Sequence, residues 1–191
     1  MFDKTMLPDY ICRPSYLERL RPYIDTPLIK VLTGQRRVGK SYILFQLIAE
    51  LLERFPAEAI IYINKELHEF NSIRSGEDLY GYIKSRLPAN GPAYVFIDEI
   101  QDIAGFEHAL RSLLASRSCD MYCTGSNAHL LSGELATYLA GRHEECLRVH
   151  LVPRCGGQGK NQERQFLGIP GGISGRQCRQ SYVSQQHQQI P

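Results

Sequence analysis

No stretch of this 191-residue chain approaches the run of about 20 apolar residues that a membrane-spanning helix needs. The reading therefore excludes a membrane-spanning helix and expects a soluble protein. The opening "MFDKTMLPDY" has neither the basic start nor the apolar core of a secretory leader. The six cysteines (Cys12, Cys119, Cys123, Cys146, Cys155, Cys178) lack paired C-x-x-C spacing, which argues against the common zinc frameworks and for a reducing, cytoplasmic setting. Cys119 and Cys123 are the closest pair, but Cys123 lies inside an apolar strand and reads as core packing. His68, His108, His129 and His143 share no ligand spacing and read as surface residues. A large excess of charge of one sign is also missing. The net charge is +2, and the five basic residues and one acidic residue after Leu151 put +4 there, leaving −2 on the remainder. Nothing in that balance indicates nucleic acid as a partner.

What is present is the composition of an ordinary globular domain, with 43% apolar and 22% charged residues. The length suits one sizeable core. "RPSYLERLRPYI" spaces Leu17, Leu20 and Ile24 for a short leading helix, within a lead of residues 10–25. "PLIKVLTG" follows as a buried strand ending in a turn. Leu44, Leu47, Ile48, Leu51 and Phe55 then recur at helical spacing until Pro56 stops the helix. The alternation continues with strand 59–64, a helix around "GEDLYGYIKSRL", strand 93–98, helix "GFEHALRSLLASR" and strand 120–125. A shorter helical stretch, "GELATYLAG", leads to a fifth strand over 145–150. Strands separated by helices of this length predict a mainly parallel sheet covered on both faces, a three-layer α/β/α sandwich. Tyr80, Tyr82 and Tyr94 read as packing residues within it.

From residue 151 to 191 the texture becomes rich in Gly, Gln and Arg with no hydrophobic period, which reads as disordered. The expected organisation is one domain over 1–150 and this tail.

Three stretches carry chemistry. "TGQRRVGKS" matches G-x-x-x-x-G-K-[ST] with Gly34, Gly39, Lys40 and Ser41, after a strand and at the start of a helix, the context a phosphate-binding loop requires. Glycines let backbone amides approach phosphate oxygens, and the following helix presents its positive dipole end. Lys40 suits the β- and γ-phosphates, and the Ser41 hydroxyl suits Mg²⁺. Gln35, Arg36, Arg37 and Val38 complete the loop and contribute chiefly backbone. The second stretch, "YVFIDEIQ", is an apolar strand ending in Asp98 and Glu99 at the carboxyl edge of the sheet. Asp98 suits the outer coordination of Mg²⁺, and Glu99 can polarise an attacking water. The third, "TGSN", ends the next strand, where Ser126 or Asn127 would report on the γ-phosphate or cap the following helical stretch.

"LIKVLTGQRRVGKS", "YVFIDEIQ" and "TGSNAHLLSGELATYLAGR" together resemble the ATPase domain of a prokaryotic AAA-type ATP-binding protein family, over about residues 10–150. The resemblance implies a P-loop fold in which another strand separates the strand of Asp98 and Glu99 from the loop strand. It implies ATP and Mg²⁺ as ligands and ATP hydrolysis coupled to conformational change. It further implies that Arg142 contacts a γ-phosphate in its own subunit or, in a homo-oligomer, a neighbour's; the planar fork of arginine suits that task. Members of that family continue with a long second domain where this sequence departs. Residues 151–191 are therefore read as the product of a frame shift or truncation near His150, the alternative being a natural disordered tail. A nucleotide-binding module without hydrolysis is the rival function. A P-loop kinase is disfavoured by Glu99 and by the lack of an arginine-rich lid.

Overall fold

The computed structural model describes residues 7–126 and 146–151. Five strands, β1 (Ile29–Gly34), β2 (Ile60–Asn64), β3 (Tyr94–Asp98), β4 (Asp120–Ser126) and β5 (Cys146–Leu151), form one sheet in the order β2-β3-β4-β1-β5. Every neighbouring pair is parallel. The strand expected to separate β3 from β1 is β4. Among the described residues four helices accompany the sheet: α1 (Pro14–Leu20), α2 (Lys40–Leu51), α3 (Gly76–Lys84) and α4 (Phe106–Ala115).

Strand periodicity of two distributes the core into two layers. Ile29, Val31, Ile61, Ile63, Val95, Ile97, Met121 and Cys123 pack with Leu79 and Ile83 of α3 and Leu110 and Leu113 of α4. The alternate residues Leu32, Ile60, Tyr94, Phe96 and Tyr122 pack with Leu17 and Leu20 of α1 and Ile43, Leu44 and Leu47 of α2. The sandwich is thus three layers deep, as the alternation predicts. Leu44 and Leu47 are fully buried, so truncating either to Ala would cost about 2–5 kcal/mol. Cys123 is buried among these residues, as expected for a packing cysteine.

Two helices are shorter than their apolar spacing suggests. The leading helix ends at Leu20 and passes into a 3₁₀ turn over Arg21–Tyr23. Pro22 is the cause: it has no N–H to donate and its ring crowds the preceding turn. Helix α2 ends at Leu51, and only turn-type bonds such as Phe55 N–H to Leu51 O (2.8 Å) carry the chain to Pro56. A residue before proline is pushed out of helical geometry.

Local sequence sets the other helix starts. Ser75 and Asp78 form a capping box at the start of α3. Gly76 is required there by close approach, because a Cβ on it would lie 2.3 Å from the carbonyl oxygen of Gly105, which precedes α4. At the amino edge of the sheet the buried Lys30 donates to Thr26 O (2.9 Å) and pairs with Asp120. Asp120 also accepts from Tyr122 Oη (2.7 Å) and from the Asp25 amide (3.0 Å). Burial lowers the Lys30 pKa despite that partner. Buried polar groups are tolerable when they are satisfied in this way.

Among the described residues no helix is long and apolar enough to cross a membrane. Asn127, the "GELATYLAG" stretch, Arg142, His129, His143 and the segment from residue 152 onward lie outside the described residues.

Candidate functional site

The carboxyl edge of the sheet brings together the loop after β1, the end of β3 and the end of β4. The loop leaves β1 at Gly34 and enters α2 at Lys40. Arg37 (φ 64°) and Gly39 (φ 88°) both take left-handed backbone conformations, which turn successive amides towards a common concavity. Among the described residues, none accepts a hydrogen bond from the amides of Val38 to Tyr42. These are the orphan donors of a helix start, the groups that bind anions. Gln35, Arg36 and Arg37 are exposed, whereas Val38 is buried. The loop arginines therefore point to solvent while the loop backbone is anchored.

Lys40 is 4% exposed, and its Nζ lies 3.3 Å from Gly34 O and 3.2 Å from Gln35 O, folded over the concavity. The same ammonium is 3.8 Å from Glu99 Oε1. This ion pair joins the loop to the strand-end carboxylate. Ser41 is half-buried in the first turn of α2.

Asp98 is buried at the tip of β3, with one carboxylate oxygen accepting from Thr124 Oγ1 and the other from Tyr62 Oη at 3.4 Å. Burial, and then the neighbouring Asp98 charge, push the Tyr62 phenol far above its ordinary range. It therefore stays a donor. Thr124 also accepts the Glu99 amide at 3.1 Å, so one hydroxyl ties both acids to β4. Glu99 itself sits at φ 55°, ψ 53°, a left-handed conformation rare for a residue with a side chain. Its carboxylate accepts from Gln101 Nε2 at 2.5 Å. The parallel register sets Gly34 opposite Ser126, so the backbone of Ser126 stands beside the start of the loop.

The structure thus groups Gly34, Val38, Gly39, Lys40, Asp98 and Glu99, with Ser126 adjacent. Chemically this edge offers unpaired amides and an ammonium for an anion, a buried carboxylate, and a second carboxylate held near the ammonium. Oxygen donors of the kind Mg²⁺ prefers are available from Asp98 and the Ser41 hydroxyl. Among the described residues no group of His, Cys, Asp or Glu forms a metal cluster. Burial pushes the Cys119 thiol up to about 12, which disfavours the thiolate that a metal needs.

Four contacting residues escaped the sequence reading. Thr124 and Gln101 were inside the quoted stretches, but their partners lie across strands or turns. Arg13 donates to Val38 O (2.7 Å) and its guanidinium lies against Gly39. Gln46 of α2 accepts the Arg13 amide (2.8 Å) and donates to Ile11 O and Tyr42 O. A lone polar residue on an apolar face, as at Gln46 and Thr124, was the available signal.

Comparisons with known proteins bear on the family and the fold. Residues 26–154 match the family model described as an AAA domain. An uncharacterized protein of Haemophilus influenzae is 40% identical over 137 residues, covering 71% of this chain and 34% of its own length. MJ1544, an uncharacterized protein of Methanocaldococcus jannaschii, is 36% identical over 125 residues, covering 65% of this chain and 26% of its own. The chain therefore spans about a third or less of these relatives. Among solved structures, Cdc6p from Pyrobaculum aerophilum aligns with a TM-score of 0.52 at 15% identity, over 75% of this chain and 47% of that one. A DNA polymerase III gamma subunit-related protein from Thermotoga maritima aligns with a TM-score of 0.51 at 19% identity, over 73% and 47%. At such identities these structures speak for the fold alone.

Proposed function

The chain belongs to the AAA domain family, a family of P-loop ATPases, and we propose that it binds ATP with Mg²⁺ at the carboxyl edge of the sheet and hydrolyses it. The observation that carries this reading is the meeting of Lys40 with Glu99 at 3.8 Å above a loop whose amides have no acceptor among the described residues. One cation for phosphate and one base for water stand side by side.

In this reading the amides of Val38 to Ser41 bind the phosphates. Lys40 exchanges its bonds to Gly34 O and Gln35 O for β- and γ-phosphate oxygens. Gly34 and Gly39 shape the loop, and Gln35, Arg36, Arg37 and Val38 line it through their backbone. Ser41 and Asp98 would hold Mg²⁺, which when bound neutralises charge on the phosphates and orients them. Glu99 accepts a proton from water as the water oxygen bonds to the γ-phosphorus. The bond from that phosphorus to the bridging oxygen breaks, and its electron pair leaves with ADP. Ser126 and Asn127 would sense the γ-phosphate, and Arg142 would contact it within the chain or across a homo-oligomer. The setting we propose is cytoplasmic, with the nucleotide domain extending over residues 1–150.

Calorimetry and phosphate release test the reading together. Lys40→Ala should abolish Mg-ATP binding, because it removes the full positive charge aimed at the phosphates; unchanged affinity would remove the phosphate-loop reading. Glu99→Gln should bind Mg-ATP and lose turnover, since the amide keeps the shape but cannot take the proton. A second reading is a nucleotide-binding module without hydrolysis. Binding without phosphate release by the unmodified chain would select it.

A further inference from the structure

Glu99 is held by more than its own strand. Its amide is bonded to Thr124 Oγ1 at 3.1 Å, and its carboxylate lies between Lys40 Nζ at 3.8 Å and Gln101 Nε2 at 2.5 Å. Gln101 stands two residues on, in the one-turn 3₁₀ helix Ile100–Asp102 that follows β3. A carboxylate only accepts hydrogen bonds, so the orientation of the Gln101 amide is fixed with its NH₂ on Glu99. The other end of that amide is the notable one. Gln101 Oε1 is buried and has no hydrogen-bond partner among the described residues.

Buried acceptors are almost always satisfied, and an exception calls for a reason. Here a left-handed Glu99 backbone and a Gln101 oxygen without a partner among the described residues meet in one short turn. Both features cost stability, while the left-handed backbone and the Gln101 Nε2 donor hold the Glu99 carboxylate in one place. Costs of this kind persist where geometry matters more than stability.

We propose that Gln101 is a positioning residue for the hydrolytic step, its Nε2 holding the Glu99 carboxylate at the orientation from which it takes the proton of the attacking water. The proposal rests on the reading of Glu99 as the base. A structural glutamine and a positioning glutamine then differ in whether their effect on turnover passes through Glu99. Gln101→Leu keeps the approximate volume and removes both the donor and the unsatisfied acceptor.

The test compares Gln101→Leu with the unmodified chain in three measurements. Phosphate release at saturating Mg-ATP should fall about 10- to 100-fold, the usual consequence of a misplaced reacting group. The calorimetric Kd for Mg-ATP should stay within about twofold, and circular dichroism at the assay temperature should show the variant as fully folded as the unmodified chain. In a Glu99→Gln background the substitution should cause no further loss of turnover. An unchanged kcat, a fall in kcat accounted for by an unfolded fraction at the assay temperature, or an added loss in the Glu99→Gln background would each overturn the proposal. NMR of the Gln101 side-chain amide decides independently of turnover: one amide proton should be shifted downfield by the carboxylate and return on Glu99→Ala. If the unmodified chain binds Mg-ATP without releasing phosphate, hydrolysis fails as a function, and an unshifted amide proton then overturns the Gln101 pairing separately.

Discussion

Replacing Thr124 by Val tests the way β4 organises both acids. The two side chains have nearly the same shape, and Thr124 is fully buried, so the change opens no cavity. It removes one hydroxyl that donates to Asp98 and accepts from the Glu99 amide. A hydrogen bond to a charged group is worth about 1.5–3 kcal/mol and an amide acceptor about 1 kcal/mol. Among the described residues, the Asp98 carboxylate then keeps only the long contact from Tyr62 at 3.4 Å. The expected destabilisation is therefore about 2–4 kcal/mol, or roughly 5–15 °C in melting temperature for a domain of this size. Thr124→Ser retains the hydroxyl and loses one methyl group, at about 1 kcal/mol. Differential scanning calorimetry of the two variants is the assay, with Mg-ATP turnover measured in parallel. The Val variant should melt well below the Ser variant and lose more activity, because Glu99 is freed from its left-handed conformation. Equal melting temperatures would refute the assignment of this hydroxyl as the clamp and leave Thr124 an ordinary core residue.

Two further expectations follow from the same geometry. Burial first, and then the nearby carboxylates Asp98, Asp25 and Asp120, raise the phenols of Tyr62, Tyr94 and Tyr122 above their ordinary value of 10.0. Their contribution to stability is complete below about pH 10 and falls as the pH rises past it, since the unfolded phenols ionise first; the lowered Lys30 acts in the opposite direction over its own range. Phenolate absorbance of the folded protein should show fewer than the 11 tyrosines of the chain titrating near pH 10, and titration of all 11 there would contradict the burial. Arg13→Met should lower stability by about 1–2 kcal/mol through loss of the bond to Val38 O. It should also weaken Mg-ATP binding by loosening the loop; an unchanged Kd would show that the Val38–Gly39 peptide needs no outside support.

Short-range patterns were sufficient for much of this molecule. Alternating apolar residues such as Ile61 and Ile63 against Ile60 specify a strand buried on both faces, because the period of two is local. The spacing of Gly34, Gly39, Lys40 and Ser41 is local in the same way: it sets backbone freedom, an ammonium and a hydroxyl within one turn after β1. Even the helix ends that fell short of the apolar spacing, at Leu20 and Leu51, obey a local rule about Pro22 and Pro56. The contacts between elements were a different matter. Thr124 meets Asp98 because the register puts Ile97 beside Cys123, and nothing in either stretch states that register. Arg13 reaches Val38 across 25 residues, and Gln46 receives the Arg13 amide across 33. Such pairs form only when helix packing closes the distance, and their energy depends on the burial that packing creates. The amino-acid sequence by itself determined the strand and helix alternation and the residue types at the sheet edge. The tertiary structure alone decided which of those residues hold one another, because hydrogen bonds require separations of about 3 Å that sequence spacing does not encode.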